Sequence, residues 1–430
     1  MARKKDGLTA RLVDTVLAVH CVVFLTLYAT DAVLALKWGV MRQPVELYVA
    51  MAIPIILRVH WPDYRLHGCK HTLALLRDHR QVLLPFLGLI AVGVLTSLQE
   101  SANMKYGGGK AMYIMAYRFV EFCGALSAGI FLLRIGWRRV VILMLMVLVG
   151  SVLYDTVYPG TYSSVVSRAG GFLENPNLAS IGLVMMLAFA VRYDRIYLMD
   201  LVLILVAFTA VFATLSRGGQ VQFALFLLNY LYFTGRGRRL QQLVQLPIVL
   251  VGTVLVGGFV ITFLLGSSEM FSAENAQRRV ATLSMDNSAV YESDDARLNL
   301  IPQYMMLIDQ KMLFGYGAGF SRSLPYGPHN TYLDFWVNNG LLGLLLYVWL
   351  LLAMLALTWA RRFWPGFVFL QVALLAGMFT HEVIHMGVFL ILAGLAMSIS
   401  WGLDPSRAAR RRALMTAAVP AAKGHPAIAT

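Results

Sequence analysis

Residues 331–359 read TYLDFWVNNGLLGLLLYVWLLLAMLALTW and carry one charged side chain, Asp334. A helix rises 1.5 Å per residue, so roughly 20 apolar residues cross the ~30 Å hydrocarbon core of a bilayer. Working outward from this stretch, similar apolar runs fall at 12–36, 44–58, 81–98, 111–133, 139–155, 178–191, 196–215, 219–234, 243–266, 364–380 and 384–401. They predict an all-α polytopic membrane protein of about 12 transmembrane helices. The runs at 178–191, 219–234 and 364–380 are short for the core, which predicts tilt or local thinning of the bilayer.

Composition agrees. Hydrophobic residues make up 59% and charged residues only 13%, against about 25% charged in soluble domains. That excludes a string of soluble domains, and the unbroken apolar runs exclude a barrel, whose strands alternate. The formal net charge of +14 does not indicate nucleic acid, because the basic residues fall in short clusters between apolar runs. Such clusters orient helices by the positive-inside rule. With the N-terminus inside, clusters at Arg3–Arg11, Arg58–Arg80, Arg134–Arg139, Arg192–Arg195, Arg236–Arg239, Arg361–Arg362 and the C-terminal tail all fall on the cytoplasmic side. Both termini are therefore expected in the cytoplasm. The basic start, MARKKDGLTAR, lacks an obvious small-residue cleavage site and reads as the lead into an uncleaved first helix. Cys21, Cys69 and Cys123 form no close-spaced pair, so neither a disulfide framework nor a cysteine metal site is expected.

The expected organisation is helices one to nine over 1–266, a large outer loop over 267–330, helices ten to twelve over 331–403, and a disordered basic tail over 404–430. Within the loop, RLNLIPQYMMLIDQ (297–310) reads as a helix. FGYGAGF (314–320) follows a helix rather than a strand, so it fails the context for a nucleotide loop. Its glycines suit a tight turn that brings the loop back to the bundle.

Three arginines on the expected outer side stand alone beside helix ends. They are Arg168 in SRAGGFLENPNLAS, Arg217 in TLSRGGQ and Arg297 in DDARLNLIPQY. A charge at such a position is costly and marks a candidate functional site. The guanidinium fork suits a phosphate. The competing reading is snorkelling to lipid headgroups, or pairing with an acid such as Asp294 or Asp295 for Arg297. His329, in GPHNTYLDFW, can accept a proton near neutral pH; alternatively it caps the following helix together with Asn330 and Thr331. HEVIH (381–385) places His381 and His385 on one helical face beside Glu382, the pattern of a zinc protease. It lies at an outer helix end with no third ligand, so no metal site is assigned and an interfacial histidine pair is preferred.

Taken in order, Arg168 with the Asn175-Pro176-Asn177 turn, SRGG at 216–219, the Arg297-led helix, the glycine turn and PHNTYLDFWVNNGLLGLLLY resemble the O-antigen ligase and polymerase superfamily of bacterial membrane glycosyltransferases. The resemblance covers about 168–350 by motif. It implies transfer of a glycan from undecaprenyl diphosphate, at the periplasmic face of the inner membrane, to a sugar of the lipid A core in lipopolysaccharide biosynthesis. It implies His329 as general base or acceptor-positioning group, supported by Asn330. It also implies Arg168, Arg217 and Arg297 around the diphosphate, an inverting displacement, and no metal or other cofactor. Repeat-unit polymerase is the nearest alternative, and an intramembrane zinc protease built on HEVIH is the alternative of another class. A flippase would show repeated halves and charges near the midplane, and the sequence shows neither.

Overall fold

The computed structural model describes residues 2–32, 80–100, 123–133, 135–164, 168–235, 300–317, 319–324, 327, 329–380, 383 and 386–400. The expected spans 44–58 and 243–266, the tail 404–430 and Arg297 lie outside them. The described residues form α1 (Ala2–Ala29), α2 (Arg80–Glu100), α3 (Cys123–Leu133), α4 (Trp137–Val157), α5 (Pro176–Ala190), α6 (Leu198–Ala213), α7 (Arg217–Gly235), α8 (300–310), α9 (Thr331–Ala360), α10 (Trp364–Ala376) and α11 (Gly387–Ser400). No strand occurs among them.

The centre of the bundle is α5. Every residue from Ala179 to Ala190 is buried, as expected of a helix that is apolar on all sides. Helices α4, α6, α7, α10 and α11 surround it. Its 15 residues span only about 22 Å. Neighbouring helices shield it from lipid, so its length need not match the bilayer. Burial thus removes the need for tilt or thinning at 178–191. Asn175 starts the helix as N-cap, its side chain accepting from the Asn177 N–H at 2.9 Å, with Pro176 in the first turn.

Lipid tails are as apolar as leucine, so helix association in a bilayer relies on close contact between small residues. Gly129 of α3 lies on the backbone of α11 at Gly394, and Gly394 lies on the backbone of α3 at Ala125. A methyl group at either glycine would overlap main-chain atoms.

At the C-terminal end of α5, Asp200 is wholly buried and paired with Arg138 Nη2 at 2.5 Å and Arg192 Nε at 3.3 Å. Arg138 Nε also donates to the carbonyl of Ala190, at 2.6 Å, which closes the helix end. Two arginines read from sequence as topology signals therefore also compensate a buried carboxylate.

Helix α9 departs from the uninterrupted span expected at 331–359. Gly340 has φ 68° and ψ −176°, a conformation open only to glycine. The break admits the segment that precedes α9. Tyr316 N donates to Val337 O, Gly317 N to Asn338 O and Leu341 N to Met312 O, each at 2.8 Å. The loop thereby satisfies backbone groups that the kink takes out of the helical ladder. The expected glycine turn is present: Gly315, Gly317 and Gly319 all have positive φ, and Gly315 abuts Gly340.

Candidate functional site

At the N-terminal end of α5, one network joins three motifs that are separate in the sequence. Arg168 Nε donates to Thr214 O at 3.0 Å, and its Nη2 donates to Asn177 Oδ1 at 2.7 Å. The same Asn177 oxygen accepts from Ser216 Oγ at 3.0 Å. Ser216 Oγ in turn accepts from the Gly219 N–H at 3.2 Å. Gly219 sits directly on Ser180 of α5, where a side chain could not fit. The bonds draw the end of α6 and the start of α7 onto the Asn-Pro-Asn turn. Leu215, between them, is held at φ 51°, a strained value for a branched residue. Arg217 emerges from this turn as the first residue of α7 and is exposed. Arg168, half-buried, commits Nε and one terminal nitrogen to holding the turn that presents Arg217.

A residue that sequence reasoning passed over anchors the Arg168 loop. Asp155, at the end of α4, is wholly buried. Its Oδ1 accepts from Tyr162 N at 3.0 Å and Ser163 N at 3.4 Å. Its Oδ2 accepts from Gly170 N at 2.8 Å and Gly171 N at 3.2 Å. The available signal was a lone carboxylate at the end of an apolar run, the same kind of anomaly that singled out the arginines.

His329 is exposed, with φ 46°. The helix cap beside it is Asn330, whose Oδ1 accepts from Tyr332 N at 2.9 Å and Leu333 N at 3.1 Å. Thr331 turns away from the cap: its N–H donates to Gly377 O at 2.7 Å and its hydroxyl to Thr380 O at 2.5 Å. The capping role shared by His329, Asn330 and Thr331 therefore falls to Asn330. Further down, Tyr332 OH donates to Leu374 O at 2.7 Å. The start of α9 is thus stapled to the end of α10.

That staple connects the two halves of the site. Gly218, next to Arg217, lies against Phe379, whose ring carbon would be 3.4 Å from a methyl at position 218. The segment 377–380 therefore touches the Arg217 turn through Phe379 and the His329 turn through Gly377 and Thr380. Of the HEVIH motif that follows, only Val383 is described, and it is buried. His381, Glu382 and His385 lie outside the described residues, as does Arg297.

The segment between α8 and α9 is pinned just ahead of His329. Ser321 N donates to Asn338 Oδ1 at 2.9 Å, Asn338 Nδ2 to Ser321 Oγ at 3.0 Å, and Ser321 Oγ to the Asp334 carboxylate. Tyr304 and Ile308 of α8 pack with Val337 beneath this clamp. Burial, and then the Asp334 carboxylate, push the Tyr304 hydroxyl up to about 12.

Residues 201–348, from α6 into α9, match the family model described as O-antigen ligase. Over this segment the chain is similar to that family. The match contains Arg217, Arg297, His329 and Asn330; Arg168 and the Asn-Pro-Asn turn precede it. No curated protein matches the chain.

Proposed function

We propose that this protein is an O-antigen ligase, a glycosyltransferase of the bacterial inner membrane with its site at the periplasmic face and both termini in the cytoplasm. The donor is a glycan on undecaprenyl diphosphate and the acceptor is a hydroxyl of the lipid A core. The acceptor oxygen attacks the anomeric carbon from the face opposite the diphosphate. The bond from that carbon to the phosphate oxygen breaks, undecaprenyl diphosphate leaves, and the configuration inverts. His329 takes the hydroxyl proton or orients the hydroxyl, with Asn330 holding the turn beneath it. Arg168, Arg217 and Arg297 neutralise charge developing on the leaving diphosphate, which is the role a metal would otherwise fill.

The observation that carries this reading is the shared contact of the Arg217 and His329 turns with residues 377–380. An arginine turn and a histidine turn thereby flank one segment, which supports an anion-binding role for the first and a proton-accepting role for the second. The test is a transfer assay on purified protein with undecaprenyl-diphosphate glycan, with and without lipid A core, in chelator, comparing wild type with His329→Ala. Core-dependent product that survives chelator and is lost in the variant supports the proposal. Lengthened lipid-linked glycan without core acceptor identifies a polymerase instead. Activity that dies in chelator and returns with zinc overturns the metal-free mechanism and moves the chemistry to HEVIH.

A further inference from the structure

The C-terminal part of α9, residues 341–360, is a run of 20 residues without a charge. At 1.5 Å per residue it spans about 30 Å, the thickness of the hydrocarbon core. Arg361 and Arg362 follow at one end, and the Gly340 kink stands at the other. The kink therefore coincides with the edge of the hydrocarbon, and residues 331–339 rise above it. Leu342, Leu345, Trp349 and Leu352 are exposed along one face of the 341–360 segment, which is its lipid-facing side.

The outer loop meets α9 at this same level. Leu341 N donates to Met312 O at 2.8 Å, and the Trp336 indole N–H donates to the same carbonyl at 3.2 Å. The turn that supplies this carbonyl is apolar and open: Leu313 is 58% exposed and Phe314 52%. Those values are close to that of Leu345, at 57%, on the lipid-facing side of α9. Ile301, Met305 and Met312 are also exposed. The spacing of four sets Ile301 and Met305 on one stripe of α8, and Met312 follows in the turn. Tyr304 and Ile308 bind one adjacent face to the protein, Asp309 and then the exposed Met306 lie on the other side of the stripe, and Gln303 and Gln310 occupy the far flank. An apolar stripe ending in an open apolar turn, contiguous with a lipid-facing helix, is the pattern of an element lying in the membrane interface. Lys311 and Trp336 beside the turn are residue types suited to that depth.

We infer that α8 and the turn at 311–314 form a monotopic element seated in the leaflet on the site side, with Met305, Met312, Leu313 and Phe314 among the upper parts of the lipid chains. The inference stands on length and exposure and does not depend on the transfer reaction. Combined with that reaction, it sets the height of the site. Nine helical residues and two more separate His329 from the kink, so His329 lies within about 20 Å of the hydrocarbon edge. That keeps it within reach of a headgroup-borne sugar.

The test uses the full chain in nanodiscs of phosphatidylethanolamine and phosphatidylglycerol. In a background with Cys21, Cys69 and Cys123 changed to Ala, spin labels are placed by Leu313→Cys, Phe314→Cys and, as a control, Gln303→Cys. At 313 and 314, relaxation by oxygen should exceed relaxation by a water-soluble nickel chelate severalfold, with the order reversed at 303. Labels at 313 and 314 that behave like 303 overturn the inference. Shielding from both relaxants also overturns it, since the turn is then covered by protein, and a short label-to-label distance would name a second copy as the cover. The wild-type chain supplies an independent measurement. A phospholipid carrying a photoreactive group just below its headgroup should cross-link within 305–314 as well as 342–352. Cross-links at 342–352 alone count against the inference.

Discussion

Asp155→Asn isolates the anchor of the Arg168 loop. The carboxylate accepts four backbone N–H groups, two on each oxygen. Bonds to a charged acceptor contribute about 1.5–3 kcal/mol each. Asparagine keeps one acceptor oxygen and turns an amide donor toward the other pair of N–H groups, so two bonds are lost. That gives about 3–6 kcal/mol. The 3.4 Å bond to Ser163 is near the distance limit, and Tyr162 is only half-buried and can hydrate, which places the expectation near the low end, about 3 kcal/mol. Spent on local opening, that is about a hundredfold loss of amide protection. Hydrogen exchange by mass spectrometry on the purified protein would read it. Peptides covering 158–175 should exchange faster, while the body of α4, from Trp137 to Tyr154, stays unchanged. Equal exchange in the two proteins would refute the anchoring argument. Faster exchange with unchanged glycan transfer would leave the anchor standing and remove Arg168 from the reaction.

Three further outcomes follow from the geometry. Gly340→Ala forces a side chain into a glycine-only conformation and onto the Leu313 carbonyl; strain of about 1–3 kcal/mol should lower the thermal midpoint, and restored stability in a Leu313 deletion would not be expected. Arg217→Lys keeps the charge but loses the planar fork, so transfer rates should fall by tenfold or more with donor KM raised, measured by steady-state kinetics; full activity in the lysine variant would argue against paired phosphate contacts. Tyr304 stays neutral in the folded state up to about 12, while the unfolded chain ionises near 10. Its contribution to stability is therefore complete below pH 10 and is lost as pH rises toward 12, and thermal unfolding of Tyr304→Phe across that range should lack this loss.

Periodicity and charge patterning made much of the bundle legible. Helices α2, α4, α5, α6, α7, α9, α10 and α11 appear where apolar runs predict spans, with ends displaced by one to a few residues. The reason is that backbone polar groups in a bilayer must be satisfied within a helix or a closed barrel, so an uncharged run of sufficient length has few alternatives. The lone arginines were conspicuous because placing a charge beside apolar runs is costly. The turn at 314–320 was legible because only glycine accepts repeated positive φ.

The rest depended on contacts between residues far apart in the chain. The sequence contains Asn177, Ser216 and Arg168, but nothing local says that one Asn177 oxygen accepts from both of the others. It contains NNG at 338–340, but a glycine in an apolar run reads as a packing residue until another segment arrives to take up the freed backbone groups. Asp155 and Asp200 look like ordinary helix-end charges until burial shows one organising a loop and the other compensating two arginines. By itself the sequence determined that the chain is helical, where most helices run and which side chains are chemically conspicuous, because those properties follow from local hydropathy and charge. Only the tertiary structure decided which conspicuous residues come near one another, because the contacts that set the turns of Arg217 and His329 against residues 377–380 exist only after α7, α9 and α10 have packed.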